Sequence, residues 1–340
     1  YVWTFLKMSS DTEYSDRIDG NTAIPVAVMK IIDRIMADNP ITTVKQGLFH
    51  FEYRTYPEIA LREAIMNAFC HSDYRIPGPI LIKHFPDRIE INSPGGFIGG
   101  ISSQNILHHS PVSRNPQLVD ALTRLRLVNR SNLGVHRMFH AMLIEGKKPP
   151  EINETGQAVT VSFTAENHSA EFREFVANEG KKGVVLTIDQ LLILHYLLDH
   201  PEIDTATAAH ISQRRNIEAR EILNQMEIRL NYLERGGTGK GTYWKLRVEF
   251  HKRISTPGHL ERDSRIDWDA AKTRILSVLK QRSEHGNAGI SNAEIRQISY
   301  LDRNQVFRIM KQLMKEELSV KLSGKGRYAR YFWEKTRDKE

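Results

Sequence analysis

Glu63, Asn67 and His71 stand four residues apart within the stretch Thr55–Tyr74. On a helix that spacing stacks a carboxylate, a carboxamide and an imidazole along one edge. The apolar residues Ile59, Ala60, Ile65, Met66 and Phe69 can pack elsewhere around the same helix. An acid beside an amide that can ligate a metal is the kind of pair that nucleotide chemistry uses.

Several elements must position that edge. Residues 21–38 read as a helix with one apolar face, and Phe49–Arg54 alternates as a strand. Thr55 and Glu58 have capping-box spacing, and Pro57 is tolerated in a first turn. Ile80–Phe85 and Arg88–Asn92 read as strands joined by Pro86-Asp87, and Ser93-Pro-Gly-Gly96 ends the second. Residues 101–108, 116–127 and 133–145 are expected to be helical, with a further strand at Val159–Phe163. Residues 1–20 read as a strand and a polar loop. The abrupt strand-like start suggests a chain that begins inside a larger protein. The expected class is α+β, a sheet with helices on one face. Residues 164–185 are polar and carry Gly180-Lys-Lys-Gly183, so a linker is expected there.

Beyond it the texture changes. Residues 181–340 hold 30 Lys and Arg against 21 Asp and Glu, whereas the other residues hold 18 against 20. A basic half suggests nucleic acid, and equally fits a solvated surface. A helix at Thr187–Asp199, a short helix at Thr205–Ile211 and a longer one at Asn216–Leu230 precede Gly236–Gly241 and the strand Thr242–Leu246. Residues 267–333 repeat this plan. Helix, short helix, longer helix and a glycine-basic turn between strands outline a winged helix-turn-helix, twice. The third helix would enter the major groove. Gln213, Arg214, Arg215 and Asn216 in the first unit, and Arg303, Asn304 and Arg308 in the second, could reach bases or phosphates. The wings would offer Lys240, and then Lys325 and Arg327, to phosphates. A two-fold dimer would match a palindromic duplex. The same modules also serve as protein-interaction or dimerisation units.

One ordered set of motifs resembles a known family. It comprises Glu63-x-x-x-Asn67-Ala68-x-x-His71-x-Asp73-Tyr74, Arg88-Ile-Glu-Ile-Asn-Ser-Pro-Gly-Gly96, Arg114-Asn-Pro116, Leu133-Gly-Val-x-Arg-Met138 and Pro149-Pro-Glu151. Together they are similar to the bacterial and archaeal family labelled RecG-related helicase C-terminal or transcriptional regulator, over about residues 1–163. The resemblance implies a divergent GHKL-type sandwich, the fold of gyrase, histidine kinases and mismatch-repair ATPases. An AlbA-like domain commonly precedes it. By the same resemblance ATP and Mg²⁺ are the implied ligands, with Asn67 on the metal and Glu63 as general base in members that hydrolyse ATP. Gly95 and Gly96 would allow close ligand approach, Gly134 would mark the phosphate side, and His71 would border the pocket. Asn92 would stand where the parent fold places the aspartate that accepts from the adenine amino group.

Other features exclude or add little. No apolar run is long enough for a membrane helix, and the single cysteine, Cys70, fits a reducing cytoplasm. His136 and His140 lack the glutamate of the zinc-protease pattern, and His108-His109 reads as a loop pair. Gly239-Lys-Gly-Thr242 lacks the spacing of a phosphate loop. The expected protein is a cytoplasmic DNA-binding regulator with a nucleotide- or ligand-sensing domain at 1–165 and winged helices at 183–250 and 265–335. The alternatives are an ATP-hydrolysing DNA-processing or defence enzyme, and a protein–protein adaptor.

Overall fold

A computed structural model describes residues 2–46, 49–128, 133–165, 170–236, 242–254, 268–284, 289–299, 301–317, 319–324, 326 and 329–334. In chain order the first elements are β1 (Trp3–Met8), β2 (Tyr14–Gly20), α1 (Ile24–Ala37), β3 (Ile41–Gln46), β4 (Phe49–Arg54) and α2 (Glu58–His71). Then come β5 (Ile80–His84), β6 (Arg88–Pro94), α3 (Pro116–Arg124), α4 (Gly134–Ile144), β7 (Glu151–Thr155), β8 (Ala158–Thr164) and α5 (Ala170–Lys181). The remainder is α6 (Ile188–Asp199), α7 (Thr205–Ser212), α8 (Asn216–Ile228), β9 (Leu233–Gly236), β10 (Tyr243–Leu246), α9 (Val248–Ile254) and α10 (Trp268–Glu284). It ends with β11 (Ile290–Ser291), α11 (Asn292–Ser299), α12 (Arg303–Glu316), β12 (Val320–Ser323) and β13 (Arg330–Trp333). The chain divides into two compact units, Tyr1–His195 with Thr205–Ile222, and Tyr196–Asp204 with Leu223–Glu340.

The first unit is α+β. Its main sheet has six strands in the order β2-β1-β5-β6-β8-β7. Only the β1–β5 pair is parallel; the others are antiparallel. Phe5, Ile82, Ile91, Val161 and Ile152 fall in one register row across five strands. Alternation then puts Ser93 on the same face as Ile91, and α2 packs there against β6. The Ser93 hydroxyl donates to the Ala68 carbonyl of α2 at 3.0 Å, which pins helix to strand.

Helix α2 lies between α1 and α4. Ala60, Leu61, Ala64, Ile65, Met66, Ala68, Phe69 and Cys70 are all buried, so apolar contacts surround most of it. Truncating Phe69 to alanine would cost about 3–5 kcal/mol by transfer and cavity terms together. No capping box starts the helix. The N-cap is Pro57, and the Thr55 hydroxyl instead donates to the Pro40 carbonyl at 3.3 Å.

Three other expectations are corrected. Residues 103–108 form turns, not a helix. The polar segment at 14–20 is a strand, because it occupies a sheet edge and needs no apolar face, as does β7 at the opposite edge. The expected linker contains α5, whose Phe172 and Phe175 are buried.

In the second unit β9 pairs with β10, and Ile203 bridges to Trp244. Trp244 is fully buried and its indole N–H donates to Glu227 at 2.9 Å. Beyond α10 a three-stranded sheet runs β11-β13-β12. Ile275, Leu279, Ile295, Val306, Ile309 and Leu313 close a core among α10, α11 and α12. Asp302 and Gln305 form a capping box at the start of α12.

Candidate functional site

A cavity of about 480 Å³ opens along the polar edge of α2. That volume suits a small ligand. Ile91, Ser93 and Val161 form its floor, the loop from Ile98 to Ser113 forms one wall, and the first turn of α4 closes another side. Glu63, Asn67 and His71 all line it. The buried faces of the helix are apolar, Glu58 and Arg62 pair at 2.6 Å on its exposed side, and the edge that meets the cavity is polar.

Gly134, the first residue of α4, stands directly over this edge. A Cβ on Gly134 would lie 3.0 Å from Glu63 Oε2 and 3.5 Å from Asn67 Oδ1. A methyl there would be tight against Glu63 and in ordinary contact with Asn67. Among the described residues no side chain caps α4, which leaves its first-turn N–H groups without a described side-chain acceptor. The Asn67 carboxamide has no hydrogen-bond partner among the described residues. Arg137, one turn into α4, donates to Glu63 Oε1 at 3.2 Å. A carboxylate, an amide, a guanidinium and a helix N-terminus thus converge within one cavity, a set suited to a polyphosphate and its cation.

His71 is exposed by area but sits in the concave mouth. Burial among its neighbours, and then the Arg114 charge, hold its imidazole below the ordinary histidine value. Beside it Asp73 bonds Arg75 at 2.7 Å and Arg114 at 3.1 Å, which keeps the carboxyl well below the usual carboxylate range. Arg114 also donates to the Gly96 carbonyl, and Asn115 donates to the Cys70 and Ser72 carbonyls at 2.9 and 2.8 Å, closing the C-terminal end of α2. Gly95 has φ +100°, and a Cβ there would meet Asp73 Cβ at 2.8 Å. The tight approach at Gly95 is therefore to Asp73, although Gly95 and Gly96 both line the cavity.

Asn92 is corrected. It points away from the cavity and donates to the Thr160 hydroxyl at 2.8 Å. The side chain on the cavity side is Ser93. Strand alternation carried this signal, since Ile89 and Ile91 are inward and Asn92 must be outward. Arg137, Arg114 and Asn115 belong to motifs visible in the sequence, but their roles depend on long-range contacts that spacing does not show.

The residues expected at a duplex are dispersed. Gln213 donates to the Ser103 carbonyl at 2.9 Å and accepts from Leu107 N–H at 2.8 Å, so it is committed to the loop wall. Arg214 pairs with Asp189 at 3.1 Å. In this structure both side chains are engaged within the first unit. Arg215 is exposed and pairs with Glu218 at 3.0 Å, while Asn216 is exposed. Arg303 lies over the Tyr243 ring at 5.4 Å, and Asn304 and Arg308 are exposed on α12. Lys240, Lys325 and Arg327 lie outside the described residues. Among the described residues no group of three His, Cys, Asp or Glu side chains could hold a metal ion, and His136 instead bonds the Leu107 carbonyl.

The family model described as "Putative ATP-dependent DNA helicase recG C-terminal" matches residues 78–163. The chain contains an ATPase-like domain of the RecG C-terminal type. The match spans the strands β5 and β6, α3, α4 and most of the β7–β8 hairpin; Glu63 and Asn67 precede it. Among solved structures the chain is similar to the DIP2311 protein from Corynebacterium diphtheriae, at 23% identity and a TM-score of 0.63, over 74% of this chain and 53% of that one. That likeness concerns the fold, and the chain spans about half the length of that protein. No curated protein matches. No helix among the described residues is long and apolar enough to cross a membrane.

Proposed function

We propose that this protein is a DNA-binding transcriptional regulator whose ATPase-like domain, a divergent GHKL-type sandwich, binds a nucleoside triphosphate with Mg²⁺. The observation that carries the reading is the convergence of Gly134 on Glu63 and Asn67 at the cavity. The residues fit the group: Asn67 has an uncommitted amide oxygen for a cation, and the α4 N-terminus and Arg137 suit phosphate. When bound, the cation would neutralise phosphate charge. The chain's own residues bind and orient, with Ser93 on the floor and the Ile98–Ser113 loop excluding water.

The duplex half of the reading is supported by element order. A helix, a bridge or short strand, two helices and two strands occur once over α6–β10 and again over α10–β13. This is the order of a winged helix, at 183–250 and 265–335, with 1–165 as the nucleotide-binding part. Asn304, Arg308, Lys311 and Lys315 form an exposed stripe along α12 that suits a groove and its phosphates. A homodimer would place two such stripes on a palindromic site.

Calorimetry with MgATP tests the cavity: heat with the wild type that disappears in Asn67→Ala supports it, and no wild-type heat defeats it. Gel shifts across a salt series test the duplex. A second reading, ATP hydrolysis, is favoured by Glu63 facing the cavity one turn before Asn67. Phosphate release abolished by Glu63→Gln would establish it.

A further inference from the structure

The wall of the cavity is held from two sides. Ile101, Ile106 and His109 of the loop line the cavity. On one side, Gln213 at the turn between α7 and α8 grips the loop with both ends of its carboxamide. Its Oε1 accepts from Leu107 N–H at 2.8 Å and its Nε2 donates to the Ser103 carbonyl at 2.9 Å. His108 reinforces this grip: its Nε2 lies 2.9 Å from the Ser212 carbonyl and 3.2 Å from Asp189. Asp189 in turn holds Arg214. On the other side, His136 of α4 bonds the Leu107 carbonyl. Leu107 itself is buried, so its N–H and C=O need protein partners. One residue's peptide groups thereby link the helix that faces Glu63 and Asn67 to the α7–α8 turn. Gln213 has φ +54°, a left-handed conformation costly for a residue with a side chain, and the two hydrogen bonds hold it there.

We propose that Gln213 is a positioning residue for the cavity wall, and that the clamp it forms makes cavity occupancy and duplex binding by the α7–α8 pair oppose one another. The inference rests on the nucleotide-and-duplex reading above and adds its direction. A ligand gains contacts with Ile101, Ile106 and His109 only when the wall is in place, so it favours the clamped state. Gln213 and Arg214 are occupied in that state and can meet a duplex only after it opens. Each ligand then lowers the affinity of the other by the same factor, roughly 5- to 100-fold for couplings of ordinary size.

Gln213→Asn tests this in the full chain. Asparagine tolerates positive φ and keeps the amide, but it is one methylene too short to reach both loop groups. Expected are weaker MgATP binding by calorimetry, tighter binding of a mixed-sequence duplex, and loss of the wild type's antagonism between the two. Hydrogen exchange over residues 101–109 should slow with MgATP and quicken with duplex in the wild type. A bound duplex that leaves those amides unchanged, or MgATP and duplex that bind independently, overturns the coupling. Absence of MgATP heat in the wild type strikes the nucleotide reading; Gln213→Asn must then still tighten duplex binding, and failure to do so overturns the clamp as well.

Discussion

The starts of α8 and α12 occupy equivalent places in two segments of matching element order, yet their polar residues have different company. Before α8, Gln213 and Arg214 face into the first unit and are bound to the loop wall and to Asp189. At α12 the capping box between Asp302 and Gln305 satisfies the helix start locally. That leaves Asn304 exposed within the first turn and Arg308 exposed on the next. Near the start of α8, Glu218 serves Arg215 instead, accepting its N–H and its guanidinium, and its carboxyl is held down at about 2 by those bonds. Polar residues around the start of the longer helix are anchors in one segment and exposed ends in the other. What decides is whether another part of the fold presents a complementary edge.

The largest expected effect concerns how the second segment is anchored. Arg296 of α11 pairs with Glu202, and both are nearly sealed from water. Burial pushes the Glu202 carboxyl up despite the Arg296 charge. Arg296→Ala would strand that carboxylate and cost about 3–5 kcal/mol in urea unfolding, whereas Arg296→Met with Glu202→Met together should cost far less. An equal loss in both variants would show that packing, not charge, holds α11. Next in size, reversing charge at Arg308 and Lys311 should weaken duplex binding roughly tenfold to a hundredfold and flatten the salt slope by about one unit per lost phosphate contact. Arg215→Glu should do less; if it does more, the contrast between α8 and α12 is inverted.

Smaller changes sharpen the cavity side. Gly134→Ala brings a methyl within 3.0 Å of Glu63 Oε2, so MgATP affinity should fall several-fold with little change in melting temperature. Acid should act most gently. Burial holds the imidazoles of His71, His84 and His140 in the first unit below the ordinary value, as it does His200 in the second. The unfolded chain therefore takes up these protons first. The stability they contribute is present above about 6.5, the unfolded value, and is lost as pH falls below it. Melting temperature should drop on going from neutral to mildly acidic buffer, and His84→Gln should blunt the drop.

Much of the first unit was legible in the sequence. The Glu63–Asn67–His71 spacing places all three on one edge of α2, and that edge lines the cavity, while strand alternation identifies β5 and β6. The errors have physical causes. Asn92 was assigned by motif position against the strand's own two-residue period, which gives the inward place to Ser93. The edge strand β2 reads as a polar loop because an edge needs no apolar face. Gln213 looked like a base reader because nothing local betrays a partner more than a hundred positions away in the loop wall. Residues 103–108 carry helical composition, but Leu107 sends its peptide groups outward to Gln213 and His136 in place of a helical turn.

Cys70 offers a last consequence. Its thiol is buried one turn beyond Asn67's side of α2, and burial, followed by the Glu63 charge, pushes it up to about 12. A closed molecule should therefore resist alkylating reagents. Because it is the single cysteine in the sequence, the speed at which such a reagent marks the protein would time the loosening of the central helix, with no label having to be engineered in.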